Sequence, residues 1–262
     1  MKNKEFINED TPKKISLIKL EFMQAAPAEL PCLLEKYSSD TRSGVITICN
    51  QYRKGQEALQ KELLRLEAMK AYERKYQDYE YICGIDEVGR GPFAGPVVAC
   101  AVILPKDCSI LYINDSKQLS EKKREELYDE IISAAITYGI GSVPPNQIDE
   151  MNILQATYEA MRKAIGNLSV RPGILLNDAV TIPGVDIKQV PIIKGDAKSI
   201  SIAAASIVAK VTRDRLMIAY DQVFPGYDFA SNKGYGSSRH IEAIRQFGLT
   251  PIHRRSFVTN FV

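Results

Sequence analysis

Residues 81–104, YICGIDEVGRGPFAGPVVACAVIL, place two apolar runs on either side of a Gly/Pro cluster. Two β-type runs around such a cluster predict an antiparallel pair with a wide connection. The first run ends on adjacent carboxylates, Asp86 and Glu87, and passes directly into Gly89-Arg90-Gly91-Pro92. Neighbouring residues on a regular strand face opposite ways. Convergence of Asp86 and Glu87 on one metal ion therefore requires the strand to turn irregular at about Glu87, which the glycines permit. Gly89 and Gly91 let backbone approach a ligand closely, and Arg90 offers a donor fork suited to phosphate. An acidic pair at a strand end is ordinary turn chemistry by itself, as a lone Gly-x-Gly is by itself weak. Side by side between two strongly apolar runs, they point to metal-assisted phosphodiester chemistry.

Composition narrows the field. A chain of 262 residues holds one large domain, or a catalytic domain with an appendage. No apolar run approaches the ~18 residues of a membrane span. The charged start MKNKEFINEDTPKK has no apolar h-region, so no secretory signal is expected. The five cysteines, Cys32, Cys49, Cys83, Cys100 and Cys108, lack C-x-x-C spacing, which predicts free thiols in a reducing cytoplasm. A net charge of +2 does not by itself indicate nucleic acid. His240 and His253, the only histidines, are too far apart for a zinc motif. His253-Arg254-Arg255 reads as structural or as a phosphate contact, and no nucleophilic serine or cysteine motif is present.

Residues 1–75 differ from the rest and predict a small helical appendage. Amphipathic stretches at 15–25 and 28–37 precede a long helix, capped at Asp40 or Thr41 and running to about Lys75. Its apolar stripe is Val45, Ile48, Cys49, Tyr52, Leu59, Leu63, Leu66 and Met69. Residues 76–262 form the second domain. Ser120 caps a helix with Leu127 and Ile131 inward. Ile136, Tyr138 and Ile140 alternate as a strand, which Pro144-Pro145-Asn146 breaks; Ile153, Ala156, Ala160 and Ala164 then mark a helix. Ile174-Leu175-Leu176 is a further strand. Antiparallel strands followed by strand–helix–strand units predict an α/β fold, a mixed sheet flanked by helices.

Three more positions carry chemistry. Asp178 closes a strand, and ligands of open α/β sheets gather at strand carboxyl ends; Asn177-Asp178 is also good turn chemistry. Asp214 shares a helical stripe with Ile207, Val211 and Ile218, where a carboxylate is costly unless paired or metal-bound. An ion pair with Lys210 competes, but in the poorer orientation, so the metal role is favoured. Asp196, in a glycine turn among lysines, reads instead as part of a substrate-facing loop. Tyr235, between two glycines, is an exposed ring able to stack on a sugar or base. Asp86, Glu87, Asp178 and Asp214 would form a hard oxygen set selecting Mg²⁺ or Mn²⁺. Two such ions activate water and stabilise the leaving oxygen of a displaced phosphodiester.

GIDEVGRGPFAGPVVACAVIL resembles the first motif of ribonuclease HII, the type 2 ribonucleases H. NDSKQLSEKKRE, PNQIDEMNILQATYEAM, KGDAKSISIAAASIVAKVTRDRLM, NKGYGS and LTPIHRRSF extend the resemblance nearly to the C-terminus. It implies a ribonuclease H-like fold with an N-terminal helical extension, in a metal-dependent, monomeric endoribonuclease. The implied substrates are RNA–DNA hybrids and duplex DNA with embedded ribonucleotides, cut on the 5′ side to leave 3′-hydroxyl and 5′-phosphate ends, as in ribonucleotide excision repair. It further implies that the Lys117 loop lies beside the substrate backbone, and that Gly89, Arg90, Gly91 and Tyr235 read the 2′-hydroxyl. One departure stands out: the family has Asp-Gly where this chain has Asp178-Ala179. Two rival readings are a ribonuclease HIII-like hybrid-only nuclease, whose pattern has Gly-Thr-Gly in place of Gly89-Arg90-Gly91, and a catalytically silent hybrid-binding protein.

Overall fold

The structure, a computed structural model, describes residues 12–260; positions 1–11 of the charged start, read for a secretory signal, lie outside the described residues. The chain divides into two compact units, Met1–Leu64 and Arg65–Val262, whereas the sequence places its boundary at residue 75. The first unit contains α1 (Ile15–Gln24), α2 (Leu30–Lys36) and most of α3 (Ser43–Met69). Its core is Ile18, Phe22, Leu34, Tyr37, Val45, Ile48 and Cys49. The Asp40 carboxylate accepts from the Arg42 N–H at 3.0 Å and pairs with its guanidinium, so the chain still turns there and α3 begins at Ser43. The long helix also ends before Lys75: Lys70 (φ −83°, ψ 4°) separates α3 from α4 (Ala71–Lys75).

The second unit holds a five-stranded sheet of order β3-β2-β1-β4-β5. β1 (Ile82–Val88), β2 (Val97–Ile103) and β3 (Thr137–Val143) are antiparallel neighbours, while β4 (Ile174–Asp178) and β5 (Lys188–Ile192) continue parallel to β1. The expected mixed sheet flanked by helices is found. Helices α5 (Glu121–Ala134), α6 (Pro145–Met151), α7 (Ile153–Gly166), α8 (Ile200–Val223), α9 (Phe229–Asn232), α10 (Ser238–Phe247) and α11 (Arg255–Val258) complete it. Alternation along β2 feeds two cores. Cys100 and Val102 pack with Leu127, Ile131 and the alanines of α8; Ala99 and Ala101 pack with Ala156, Ala160 and Ala164 of α7.

Ser120 caps α5 as expected, accepting from the Lys123 N–H. On β3 the buried face is the reverse of the apolar pattern: Tyr138 is exposed, while Gly139 and Gly141 lie inside. The reason is close approach. A Cβ on Gly141 would stand 1.9 Å from the Ala160 carbonyl oxygen of α7, so only glycine admits the helix backbone. All five cysteines are free thiols. Among the described residues no helix is long and apolar enough to cross a membrane.

Candidate active site

The irregularity expected at Glu87 is not present. β1 stays paired with β2 through Glu87 opposite Ala99 and Val88 opposite Val98. The sheet register gathers the carboxylates instead. β4 runs parallel to β1 with Ile85 beside Asn177, so one residue further on Asp86 and Asp178 stand side by side at neighbouring strand ends, on one face. The Glu87 N–H donates to Asp86 Oδ1 at 2.8 Å. Burial, then the charge of Glu87 and more weakly that of Asp178, push the Asp86 carboxyl well above the usual carboxylate range, against a hydrogen bond from Ser206 of α8. Burial likewise raises Glu87, opposed by Arg90, whose guanidinium stands 3.3 Å away.

A further carboxylate joins them. Asp178 Oδ1 accepts from the Gly195 N–H at 2.7 Å, tying the end of β4 to the short turn Gly195–Ala197 that follows β5. Asp196 in that turn is buried and raised by burial first, then by the charges of Asp115 and Asp178. Lys117 faces the same group. Burial alone would lower its ammonium, but Asp115, Asp86, Asp196 and Asp178 together raise it.

Asp214 stands elsewhere. Lys210 Nζ donates to its Oδ1 at 2.7 Å, and it lies roughly 12 Å further along α8 than Ser206, at ~1.5 Å rise per residue. The structure thus sets Asp178 between Asp86 and Glu87 on one side and Asp196 on the other, and holds Asp214 in the ion pair that competed for it. The overlooked signal was positional: Asp196 follows β5 as Asp178 closes β4, at the carboxyl ends of adjacent parallel strands. Lys188, Gln189 and Pro191 made β5 unreadable as a strand.

The loop after β1 is held from behind. Gly89 has φ +88°, and a Cβ there would fall 2.2 Å from Arg213 Nε. Arg213 and Arg254 are fully buried and paired with carbonyls rather than carboxylates. Arg213 donates to Ala94, Pro96 and Lys233 oxygens at 2.9–3.0 Å. Arg254 donates to those of Gly89 at 2.5 Å, Arg90 at 2.8 Å and Gly95 at 2.9 Å. Cis bonds are absent among the described residues, and in a trans peptide the following N–H points opposite the carbonyl. The Arg90 and Gly91 amides therefore face away from Arg254, and no hydrogen bond to another described residue occupies them. Tyr235, half-exposed, lies against this loop, its ring 3.8 Å from where a Cβ on Gly91 would be. His253 and Arg254 are both buried, on the structural side of their two readings.

Among the described residues no three His, Cys, Asp or Glu side chains lie within joint reach of one metal ion as they stand. The donor chemistry nevertheless fits a hard dication. Asp86, Glu87 and Asp196 are raised by burial and by one another's neighbours, Asp178 acting on all three and Asp115 on Asp196, with Lys117 and Arg90 as counter-charges. A divalent cation relieves that repulsion.

A family model described as Ribonuclease HII matches residues 83–260, and one described as Ribonuclease HII N-terminal domain matches 14–77. The chain belongs to the ribonuclease HII family. It is 68% identical over 226 residues to Ribonuclease HII of Lachnoclostridium phytofermentans, covering 86% of this chain and 89% of that one. To Ribonuclease HII of Clostridioides difficile it is 54% identical over 231 residues, covering 87% and 91%. The crystal structure of ribonuclease H2 from Pyrococcus horikoshii superposes with a TM-score of 0.57 at 29% identity, over 69% of this chain and 96% of that one. Membership of the ribonuclease HII family makes the chain a hydrolytic nuclease.

Proposed function

We propose that this ribonuclease HII family member is an endoribonuclease that hydrolyses the RNA strand of RNA–DNA hybrids and cuts 5′ of ribonucleotides embedded in duplex DNA. The observation that carries this reading is the carboxylate cluster lying beside a loop of outward amides and the Tyr235 ring. Asp86, Glu87, Asp178 and Asp196 would hold Mg²⁺ or Mn²⁺, with Asp214 the alternative for the fourth place. Such ions, when bound, activate water and stabilise the leaving oxygen of an in-line displacement. Lys117, within the field of the cluster, supplies a point charge to the substrate phosphate, and the half-exposed Arg90 fork supplies a second. The Arg90 and Gly91 amides donate to a ribose or phosphate oxygen. The Tyr235 ring packs on the sugar, and its hydroxyl reaches the 2′-hydroxyl.

A deoxyribose leaves those groups unpaired, which is the strong form of discrimination. The test is cleavage of duplexes with one, four or no ribonucleotides. Cutting of the first two and an inert all-DNA duplex are expected. Activity on four but not on one would transfer the chain to the ribonuclease HIII-like reading. Binding without metal-dependent cleavage of any duplex would establish the silent binding protein.

A further inference from the structure

Behind Tyr235 lie two buried histidines, His240 at the start of α10 and His253 in the turn before α11. His240 Nδ1 is 2.8 Å from the Tyr235 carbonyl oxygen. That oxygen only accepts, so Nδ1 carries the proton. His240 Nε2 is then the acceptor of a neutral ring. It lies 3.0 Å from His253 Nε2, which must donate. His253 Nδ1 accepts in turn from the Thr250 N–H at 2.9 Å and hydroxyl at 2.8 Å. One tautomer is allowed for each ring, and the donors run in one direction, from Thr250 through both imidazoles to Tyr235.

The surroundings keep the rings neutral. Phe229 meets His240 edge-on with centroids 5.2 Å apart, and Tyr227 lies 5.2 Å from His253. Burial lowers both imidazoles, His253 to about 4 with help from His240. A buried polar relay is costly unless every member is satisfied; fully satisfied, it specifies one geometry. This one ends on the backbone of Tyr235, whose side chain is exposed beside Gly91. The same carbonyl also takes the Ser237 N–H at 2.8 Å.

We propose that His240 and His253 are positioning residues for ribonucleotide recognition: their hydrogen-bonded relay fixes the Tyr235 carbonyl and so sets where the tyrosine ring meets the sugar. This rests on Tyr235 being the ribose contact. His240→Asn and His240→Gln separate the two ends of the ring. The Asn amide N–H stands where Nδ1 stood and keeps the bond to Tyr235. The Gln amide stands where Nε2 stood, keeping the link to His253 and leaving the Tyr235 carbonyl without its imidazole donor.

On a single-ribonucleotide duplex with the full chain, kcat/KM should fall about tenfold for His240→Gln, since an ångström of misplacement can cost up to ~100-fold. His240→Asn should restore most of it. Equal losses in both, or none in His240→Gln, would overturn the proposal. Nitrogen-15 NMR of the unmodified protein needs no variant: His240 should be the Nδ1–H tautomer and His253 the Nε2–H tautomer, and any other pair refutes the relay. In a double-mutant cycle the Tyr235→Ala and His240→Gln losses should not add; additive losses overturn the positioning role alone. An undiminished Tyr235→Ala would remove the reading of Tyr235, and the proposal with it.

Discussion

Three carboxylates of the cluster sit where their charge is costly. The folded Asp86, Glu87 and Asp196 carboxyls lie above their ordinary values, so the folded state holds protons that the unfolded chain has released. Their contribution to stability therefore rises as pH falls below neutral, and their penalty is greatest in neutral, metal-free buffer. Asp86→Asn should consequently abolish cleavage while raising the melting temperature in EDTA, and Mg²⁺ should stabilise the unmodified protein more than the variant. A variant that melts lower in EDTA would count against the repulsive cluster. Turnover separates the two candidates for the fourth place. Asp196→Asn should lose at least ~100-fold, as removal of preorganised charge stabilisation does, whereas Asp214→Asn should cleave normally and lose stability through the stranded Lys210. The strand-end placement of Asp86, Glu87 and Asp178 was legible because each ends an apolar run; that of Asp196 was not, because the strand before it is polar. Ala179, in place of the family glycine, has φ +55°. A left-handed non-glycine residue costs ~1 kcal/mol or more, so Ala179→Gly should raise the urea midpoint.

At the scale of elements, the strands β1 to β4 were accessible from apolar runs and glycine turns, whereas β5 and the support behind the loops were not. Arg254 in the run His-Arg-Arg looks like a cation for phosphate. In the fold it is buried and spent on the carbonyls of Gly89, Arg90 and Gly95, a role set by long-range packing that no local pattern records. The same holds for β3, where the buried face was decided by the approach of α7 to glycines rather than by hydrophobicity. Lysine at position 254 keeps the charge but not the fork. At ~1–3 kcal/mol for each buried group left without a partner, Arg254→Lys should destabilise by several kcal/mol in urea unfolding. It should also weaken single-ribonucleotide cleavage, because the Arg90 and Gly91 amides lose their fixed direction. A midpoint unchanged from the unmodified protein would show that these carbonyls find other donors.

At the scale of the whole molecule, the position of the boundary decides what can be removed. The composition shift places it at residue 75, because the helical pattern continues to there. Packing divides the chain between Leu64 and Arg65, because the last turns of α3 are built into the second unit. Leu66 and Met69 are buried with Leu127, Ile131 and Ile200. Glu73 Oε1 accepts from the Ser199 hydroxyl at 2.5 Å and the Ser201 N–H at 3.1 Å, which sets a carboxylate at the N-terminus of α8, close in sequence to Asp196. A fragment of residues 65–262 keeps all of these and should fold and cleave hybrids with divalent metal. A fragment of residues 76–262 retains every proposed ligand, yet loses two core side chains at ~2–5 kcal/mol each and the α8 cap. Against a total stability of ~5–15 kcal/mol, it should melt far lower or fail to stay soluble. Thermal melts and hybrid cleavage of the two fragments, measured together, decide the matter. Equal stability would return the boundary to residue 75, and a folded but inactive 65–262 fragment would make the first unit necessary for chemistry.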